Sequence, residues 1–203
     1  RIAHRGPDDE GVRHIAGQAL FGHRRLAIID LDHGSQPMLS SDGRYSLVFN
    51  GEIYNYVELR EELMKHGVRF KTHSDTEVLL QMLVLFKEAA IKKLNGMFAF
   101  VFHDSKDNTW IASRDHFGIK PLYYSIIDEE LLFVSEIKAL LVHPEFEPKR
   151  NEDALHHYLS FQFCLDERTL FESVFKIKPG HFLIGQGPKI LQDMCYWDTQ
   201  YHV

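Results

Sequence analysis

Short apolar runs, each closed by turn residues, recur along most of this chain, while segments with helical spacing are few; the backbone is therefore committed to strands joined by tight reversals. Gln18 to Phe21, Leu26 to Ile29 and Tyr45 to Phe49 read as strands, set apart by Gly22, Asp30, Gly34, Ser35, Ser40, Asp42 and Gly43. Met97 to Phe102 and Thr109 to Ser113 flank a polar turn and predict a hairpin. Leu122 to Tyr124, Leu131 to Val134 and the alternating stretch from Val174 to Ile184, around Pro179 and Gly180, continue the pattern. Helices interrupt it in a few places. Asn55, with Glu58 three residues on, predicts a capped helix through Tyr56, Leu59 and Leu63 that ends at Gly67. Ser74, with Glu77 three residues on, predicts a second through Val78, Leu79, Met82, Leu83 and Phe86, one face of it in the core. A short helix is expected from Ser135, and Asn151 caps another through Leu155 and Leu159. This order favours an α+β fold with mostly antiparallel sheets, two sheet layers covered by helices, over a parallel doubly wound one. No repeat, low-complexity run or linker divides the 203 residues, so one domain is expected.

Composition narrows the function. The net charge of -6 disfavours attraction to a phosphate backbone, so nucleic acid is not the expected partner. The longest apolar stretches, such as 96–102, fall far short of the ~20 residues that span a bilayer, so no membrane span is expected. Two cysteines, Cys164 and Cys195, are too few for a disulfide framework and suit a reducing, cytoplasmic setting. The 13 histidines form neither HExxH nor CxxC-paired ligand sets, so no metal is expected. Gly185 and Gly187 lack the third glycine of a dinucleotide loop, and no GxxxxGK[ST] loop occurs, so nothing in this chain activates ATP.

Polar residues at strand ends remain. Asn50, Gly51 and Glu52 follow the apolar run Tyr45 to Phe49, where backbone N–H groups are expected to leave the ladder and to be free for an oxyanion. Taken alone, Asn-Gly is among the strongest turn dipeptides and favours a plain turn. Arg25 reads either as an exposed strand-end charge or as a carboxylate clamp, and Asp75 either as a helix-start carboxylate or as a ligand. Together, Arg25, Glu52 and Asp75 offer one cation and two anions, the complement of a free α-amino acid.

Several strings then carry a resemblance: His4-Arg5-Gly6-Pro7-Asp8 with Gly11, Arg25 to Asp30, Asn50 to Asn55, Ser74 to Glu77, Gly96 to Phe100, Arg114-Asp115 through Gly118 to Tyr124, and Ser135 to Leu140. In this order, from His4 to about Trp197, the chain resembles the glutaminase domain of glutamine-hydrolysing asparagine synthetase, a class II glutamine amidotransferase. The resemblance implies an N-terminal-nucleophile hydrolase fold, a four-layer αββα sandwich. It implies that an N-terminal cysteine, with its own α-amino group as base, attacks the side-chain amide of glutamine and passes ammonia to an ATP-using domain that makes asparagine from aspartate. An α-amino pKa of about 7.7 to 8.0 suits a general base at working pH.

Carried over by motif, Arg25 grips the glutamine α-carboxylate, Glu52 and Asp75 hold its α-ammonium, the Asn50 amide and the Gly51 N–H form the oxyanion hole, and backbone groups of Ile28 and Ile29 line the pocket. The His4 to Asp8 motif is expected to be structural. The resemblance places the nucleophile in a Cys-Gly-Ile start about two dozen residues before His4, so residues 1–203 are expected to be an amidotransferase domain truncated at its N-terminus. Neither Cys164 nor Cys195 carries a free α-amino group to replace it. The synthetase domain of the same polypeptide, with its ATP and Mg, is expected beyond Val203, and this domain itself needs no cofactor. A homodimer is left open. Two other readings stand beside this one: a related amidotransferase with a different ammonia acceptor, and a non-hydrolytic interaction module of the same fold.

Overall fold

The computed structural model describes residues 2–25 and 35–200. The expected strand Leu26 to Ile29, and with it the site residues Ile28 and Ile29, lies outside the described residues. Every strand pairing among the described residues is antiparallel.

The strands are β1 (Asp9–Ile15), β2 (Ala19–Arg25), β3 (Met38–Leu39), β4 (Tyr45–Ile53), β5 (Gly96–Asp104), β6 (Thr109–Arg114), β7 (Tyr123–Ile127), β8 (Glu130–Val134), β9 (Val174–Lys176), β10 (His181–Gln186) and β11 (Lys189–Cys195). Six of them form one sheet in the order β11-β10-β6-β5-β4-β3. The second layer is not one sheet but two pieces, the hairpin β1-β2 and the three-stranded β8-β7-β9.

The six-stranded sheet is buried on both faces, and side-chain alternation assigns the faces. Leu47, Phe49, Ile53, Phe98, Phe100, Phe102, Ile111 and Phe182 pack towards the helices α1 (Tyr56–Lys65) and α2 (Asp75–Phe86). Ala99, Val101, Trp110, Ala112 and Leu183 point the other way, meeting Phe21 of β2 and, at the margin, Tyr124, Leu131 and Phe133 of β7 and β8. Beyond the second layer, Leu140 and Ile137 of a 3₁₀ turn, Ile137–Val142, cover the three-stranded piece with Ile127 and Val174. Helix α3 (Glu152–Phe161) lies beside it, its entry tied to the chain ahead of β9 by the Asn151 N–H on the Leu170 carbonyl at 3.0 Å. The layers run helix, sheet, sheet, helix, as expected.

Helix ends show where local signals held. Ser74 accepts the Glu77 N–H at 3.2 Å, and Asn151 accepts the Ala154 N–H at 3.0 Å, both as N-caps. Asn55 does not cap α1 with its side chain. Its amide instead bridges a neighbouring loop, donating to the Lys93 carbonyl and accepting the Asn95 N–H, each at 3.0 Å. The 3₁₀ turn starts after Glu136 rather than at Ser135. Helix α2 buries more than one face, with Val78, Leu79, Leu80, Met82 and Leu83 all closed from solvent, because it is sandwiched between α1 and β4.

Two further expectations are corrected. The run from Tyr45 does not end at Phe49: β4 continues to Ile53, so Asn50 and Gly51 lie inside a strand, opposite Ala99 and Phe98, and not in a turn. Leu159 of α3 is exposed and Ala154 is the buried residue, since the helix meets the domain through its first turn.

Candidate functional site

Strand β4 carries the centre of the site because its two faces and its outer edge do different work. The alternation that sends Leu47, Phe49 and Ile53 towards the helices sends Val48, Asn50 and Glu52 towards the second layer. There they border a cleft of about 1270 Å³, whose wall also includes Arg25, Gly51, Asp75, Met97 and Lys120. Arg25, Asn50, Gly51, Glu52 and Asp75 are thus brought together.

Gly51 is where the backbone needs glycine. Its φ is +154°, and a Cβ would stand 2.0 Å from the Met97 carbonyl oxygen of β5. Antiparallel pairing directs the N–H groups of Phe49, Gly51 and Ile53 away from β5, in alternation with Asn50 and Glu52. The Phe49 N–H is taken by Gln36 Oε1 at 2.6 Å and the Ile53 N–H by Asp75 Oδ2 at 3.0 Å. The Gly51 N–H between them faces the same outer edge, at the cleft wall.

Asp75 reaches β4 because its neighbours in Ser74-Asp75-Thr76-Glu77 anchor the approach to α2. Ser74 caps the helix, and the buried Glu77 carboxylate accepts the N–H groups of Lys71 and Thr72, at 2.9 and 2.7 Å, and the Thr72 hydroxyl at 2.7 Å. Burial pushes the Asp75 carboxyl above the ordinary aspartate range, the nearby Glu52 carboxylate adds to this, and the Ile53 N–H opposes it. The expected helix-start position is confirmed, and the side chain is aimed at the cleft as well.

Arg25 ends β2 with its side chain buried, not exposed at a strand end. The His4 to Asp8 motif places it. The Asp8 N–H donates to the Arg25 carbonyl at 3.1 Å, and a Cβ on Gly6 would stand 2.4 Å from the backbone of Arg24 and Arg25. The motif is itself tied to the Ser135 to Leu140 string: Glu136 pairs with His4 at 3.0 Å, Arg5 at 3.4 Å and Lys138 at 2.8 Å. Lys138, then His4, hold the Glu136 carboxyl down at about 2.

Gln36 and His23, also at the site, carry no local sequence signal, whereas Arg114 and Asp115 belong to a string already noted. Gln36 and His23 act on the Phe49 backbone 13 and 26 residues away. The Asp115 carboxylate, fully buried, accepts N–H groups from Phe98, Phe117, Ile119 and Lys120 at 2.9 to 3.1 Å. Arg114 donates to the carbonyls of Lys120, Ile177 and Gly118. The Arg114-Asp115 string thereby rigidifies the loop leading to the cleft residues Lys120, Pro121 and Leu122. Cys164 follows α3 and Cys195 ends β11, and neither is among the residues lining the cleft. No group of three potential metal ligands occurs among the described residues. No described helix is long and apolar enough to cross a membrane.

A family model described as "Glutamine amidotransferase domain" matches residues 1–197. The chain belongs to the glutamine amidotransferase domain family. This amidotransferase domain is 48% identical over 179 residues to "Asparagine synthetase [glutamine-hydrolyzing] 1" of Bacillus subtilis, covering 88% of this chain and 28% of that protein. It is 36% identical to "Amidase chry2" of Gibberella zeae, covering 98% of this chain and 29% of that protein. The domain thus spans under a third of the length of either relative. Among solved structures it resembles the glutamine phosphoribosylpyrophosphate amidotransferase of B. subtilis, at TM-score 0.62 and 20% identity, covering 89% of this chain and 35% of that one. That likeness shows the N-terminal-nucleophile hydrolase fold implied by the resemblance.

Proposed function

We propose that this domain binds L-glutamine in the cleft and hydrolyses its side-chain amide, as the glutaminase part of a longer asparagine synthetase. The presence of Arg25, Gly51, Glu52 and Asp75 around one cleft carries the reading. A buried guanidinium suits an α-carboxylate, and two carboxylates suit an α-ammonium. The Asn50 side-chain amide and the Gly51 N–H supply two donors for the oxyanion that develops on the attacked amide carbonyl. The resemblance adds backbone groups of Ile28 and Ile29, which lie outside the described residues, to this proposed pocket.

The nucleophile is proposed to be an N-terminal cysteine outside these 203 residues. Its α-amino group takes the thiol proton, the thiolate adds to the amide carbonyl, and collapse of the tetrahedral intermediate expels ammonia and leaves a glutamyl thioester. Water then releases glutamate. The ammonia serves an ATP- and Mg-dependent domain of the same polypeptide that amidates aspartate, in the cytoplasm; ATP and Mg belong to that domain and not to this one. The 48% identity to an asparagine synthetase favours aspartate as acceptor over other carboxylates.

The test compares the full-length protein with the 203-residue chain in an assay for glutamate and ammonia from L-glutamine. Full-length protein is expected to turn over glutamine and, with ATP and aspartate, to form asparagine. The chain alone is expected to show no sustained turnover. Turnover by the chain alone would refute the placement of the nucleophile, and glutamine turnover without asparagine formation would refute the acceptor.

A further inference from the structure

The outer edge of β4 is braced by side chains where the neighbouring strand stops. Strand β3 pairs with β4 only at Met38–Leu47 and Leu39–Ser46. Two residues further along β4, the Gln36 side chain takes the place of a strand: its Oε1 accepts the Phe49 N–H at 2.6 Å and its Nε2 donates to the Phe49 carbonyl at 2.9 Å. The same carbonyl lies 3.2 Å from His23 Nε2. A carbonyl can only accept, so the His23 proton sits on Nε2. That leaves Nδ1 a lone-pair acceptor, and it is buried without a hydrogen-bond partner among the described residues. Such an atom costs folding free energy. A phenylalanine ring would fill similar space without that cost, so packing alone does not account for a histidine here.

The next outward backbone groups beyond Phe49 belong to Gly51, whose φ of +154° leaves the Asn50–Gly51 peptide with conformational freedom that other residues lack. On its far side the Ile53 N–H is fixed by Asp75. We infer that Gln36 and His23 are positioning residues that hold the Phe49 backbone, and through it the Asn50–Gly51 peptide, with the Gly51 N–H aimed into the cleft. The inference rests on the oxyanion-hole reading above. Both residues border the cleft, and the role assigned to them is exercised through the backbone of β4.

The test measures glutamine hydrolysis and thermal stability on full-length protein carrying Gln36→Met, His23→Phe or, in parallel, Asn50→Ala. Gln36→Met keeps the side-chain length and removes both hydrogen-bonding groups. His23→Phe keeps a ring and removes both the donor and the orphan acceptor. Each is expected to lower kcat about 10- to 100-fold, the scale of a misplaced catalytic group, with the KM for glutamine changed less than about threefold. His23→Phe is expected to keep or raise the Tm, which a merely structural histidine would not do. If Gln36→Met does not fold, His23→Phe alone decides. Unchanged kcat in the variants that fold, or a fall in kcat matched by a fall in Tm for His23→Phe, overturns the inference. If Asn50→Ala also leaves kcat unchanged, the oxyanion reading fails and the inference goes with it; if Asn50→Ala lowers kcat and the other two do not, only the positioning role is lost.

Discussion

Asp75 Oδ2 accepts the backbone N–H of Ile53 at 3.0 Å, which fastens the first residue of α2 to the last residue of β4, two positions beyond Gly51. One carboxylate oxygen is thereby spent on the fold while the side chain still borders the cleft. The Asp75 carboxyl, pushed up chiefly by burial, is therefore expected to govern glutamine binding at acid pH. As pH falls, it protonates before an ordinary aspartate would and ceases to attract an α-ammonium. The KM for glutamine should rise on the acid side, and Asp75→Asn should raise KM at all pH values and remove that dependence. The sign for stability is the opposite. Because the folded-state pKa is raised, ionised Asp75 costs stability at neutral pH that returns as pH falls through that pKa, so Asp75→Asn should not lower the urea midpoint at pH 7.

Arg25→Ala is expected to weaken glutamine use by about 1.5 to 3 kcal/mol, the scale of hydrogen bonds to a charged group, or roughly a 10- to 150-fold rise in KM. Ammonia-dependent synthesis by the full-length protein should persist. Equal loss of both activities would show that Arg25 supports the fold and not the substrate.

Asn50→Ala is expected to lower kcat for glutamine about a hundred- to a thousandfold, the effect of removing one oxyanion donor, with little change in KM. Because Asn50 lies inside β4 and not in a reversal, the Tm should hold. A large fall in Tm together with both activities would return Asn50 to a structural role.

Gly51→Ala should fail for a different reason. The added Cβ would meet the Met97 carbonyl at 2.0 Å in a backbone conformation that costs non-glycine residues about 1 to 3 kcal/mol before any clash is counted. Urea unfolding should report a loss of at least that size, accompanied by loss of glutamine turnover. A variant of normal stability would show that β4 and β5 can separate locally.

Acid stability should depend on Asp104. Arg44 grips this carboxylate with two hydrogen bonds, at 2.7 and 2.6 Å, and holds its pKa below the ordinary value of 3.8. The pair therefore stabilises the fold above that value, and the contribution is lost as pH falls through the depressed folded-state pKa. Asp104→Asn should lower the urea midpoint at pH 7 and lose less between pH 7 and pH 3 than the unaltered protein.

What could be read in advance was whatever is encoded locally. The hairpin of β5 and β6, the caps at Ser74 and Asn151 and the helix end at Gly67 each depend on residues a few positions apart, and all are found. Strand β1 was missed because its pattern, Asp-Glu-Gly-Val-Arg-His-Ile, has no buried face to impose an alternation. The continuation of β4 past Phe49 was missed because Asn50 and Glu52 turn polar side chains towards a cleft, so a strand crossing into a site looks like a strand ending. A motif singles out Arg25 and Asp75, but not their burial, which depends on the fold closing around them. Gln36 left no mark at all, because its partner is backbone and any residue at Phe49 would present the same groups.

The Asp115 carboxylate gathers four N–H groups from β5 and from the loop that follows β6, and the Arg114 guanidinium binds the carbonyls of Gly118 and Lys120 in that loop and of Ile177 just after β9. Through the Phe98 N–H this cluster joins the wall bearing Lys120 to β5, the strand paired with β4. In mechanical terms that wall belongs to the chassis and not to a door. Any breathing of the cleft must be sought elsewhere along its rim, and amide hydrogen exchange should find the N–H groups of Phe117, Ile119 and Lys120 among the slowest outside regular secondary structure.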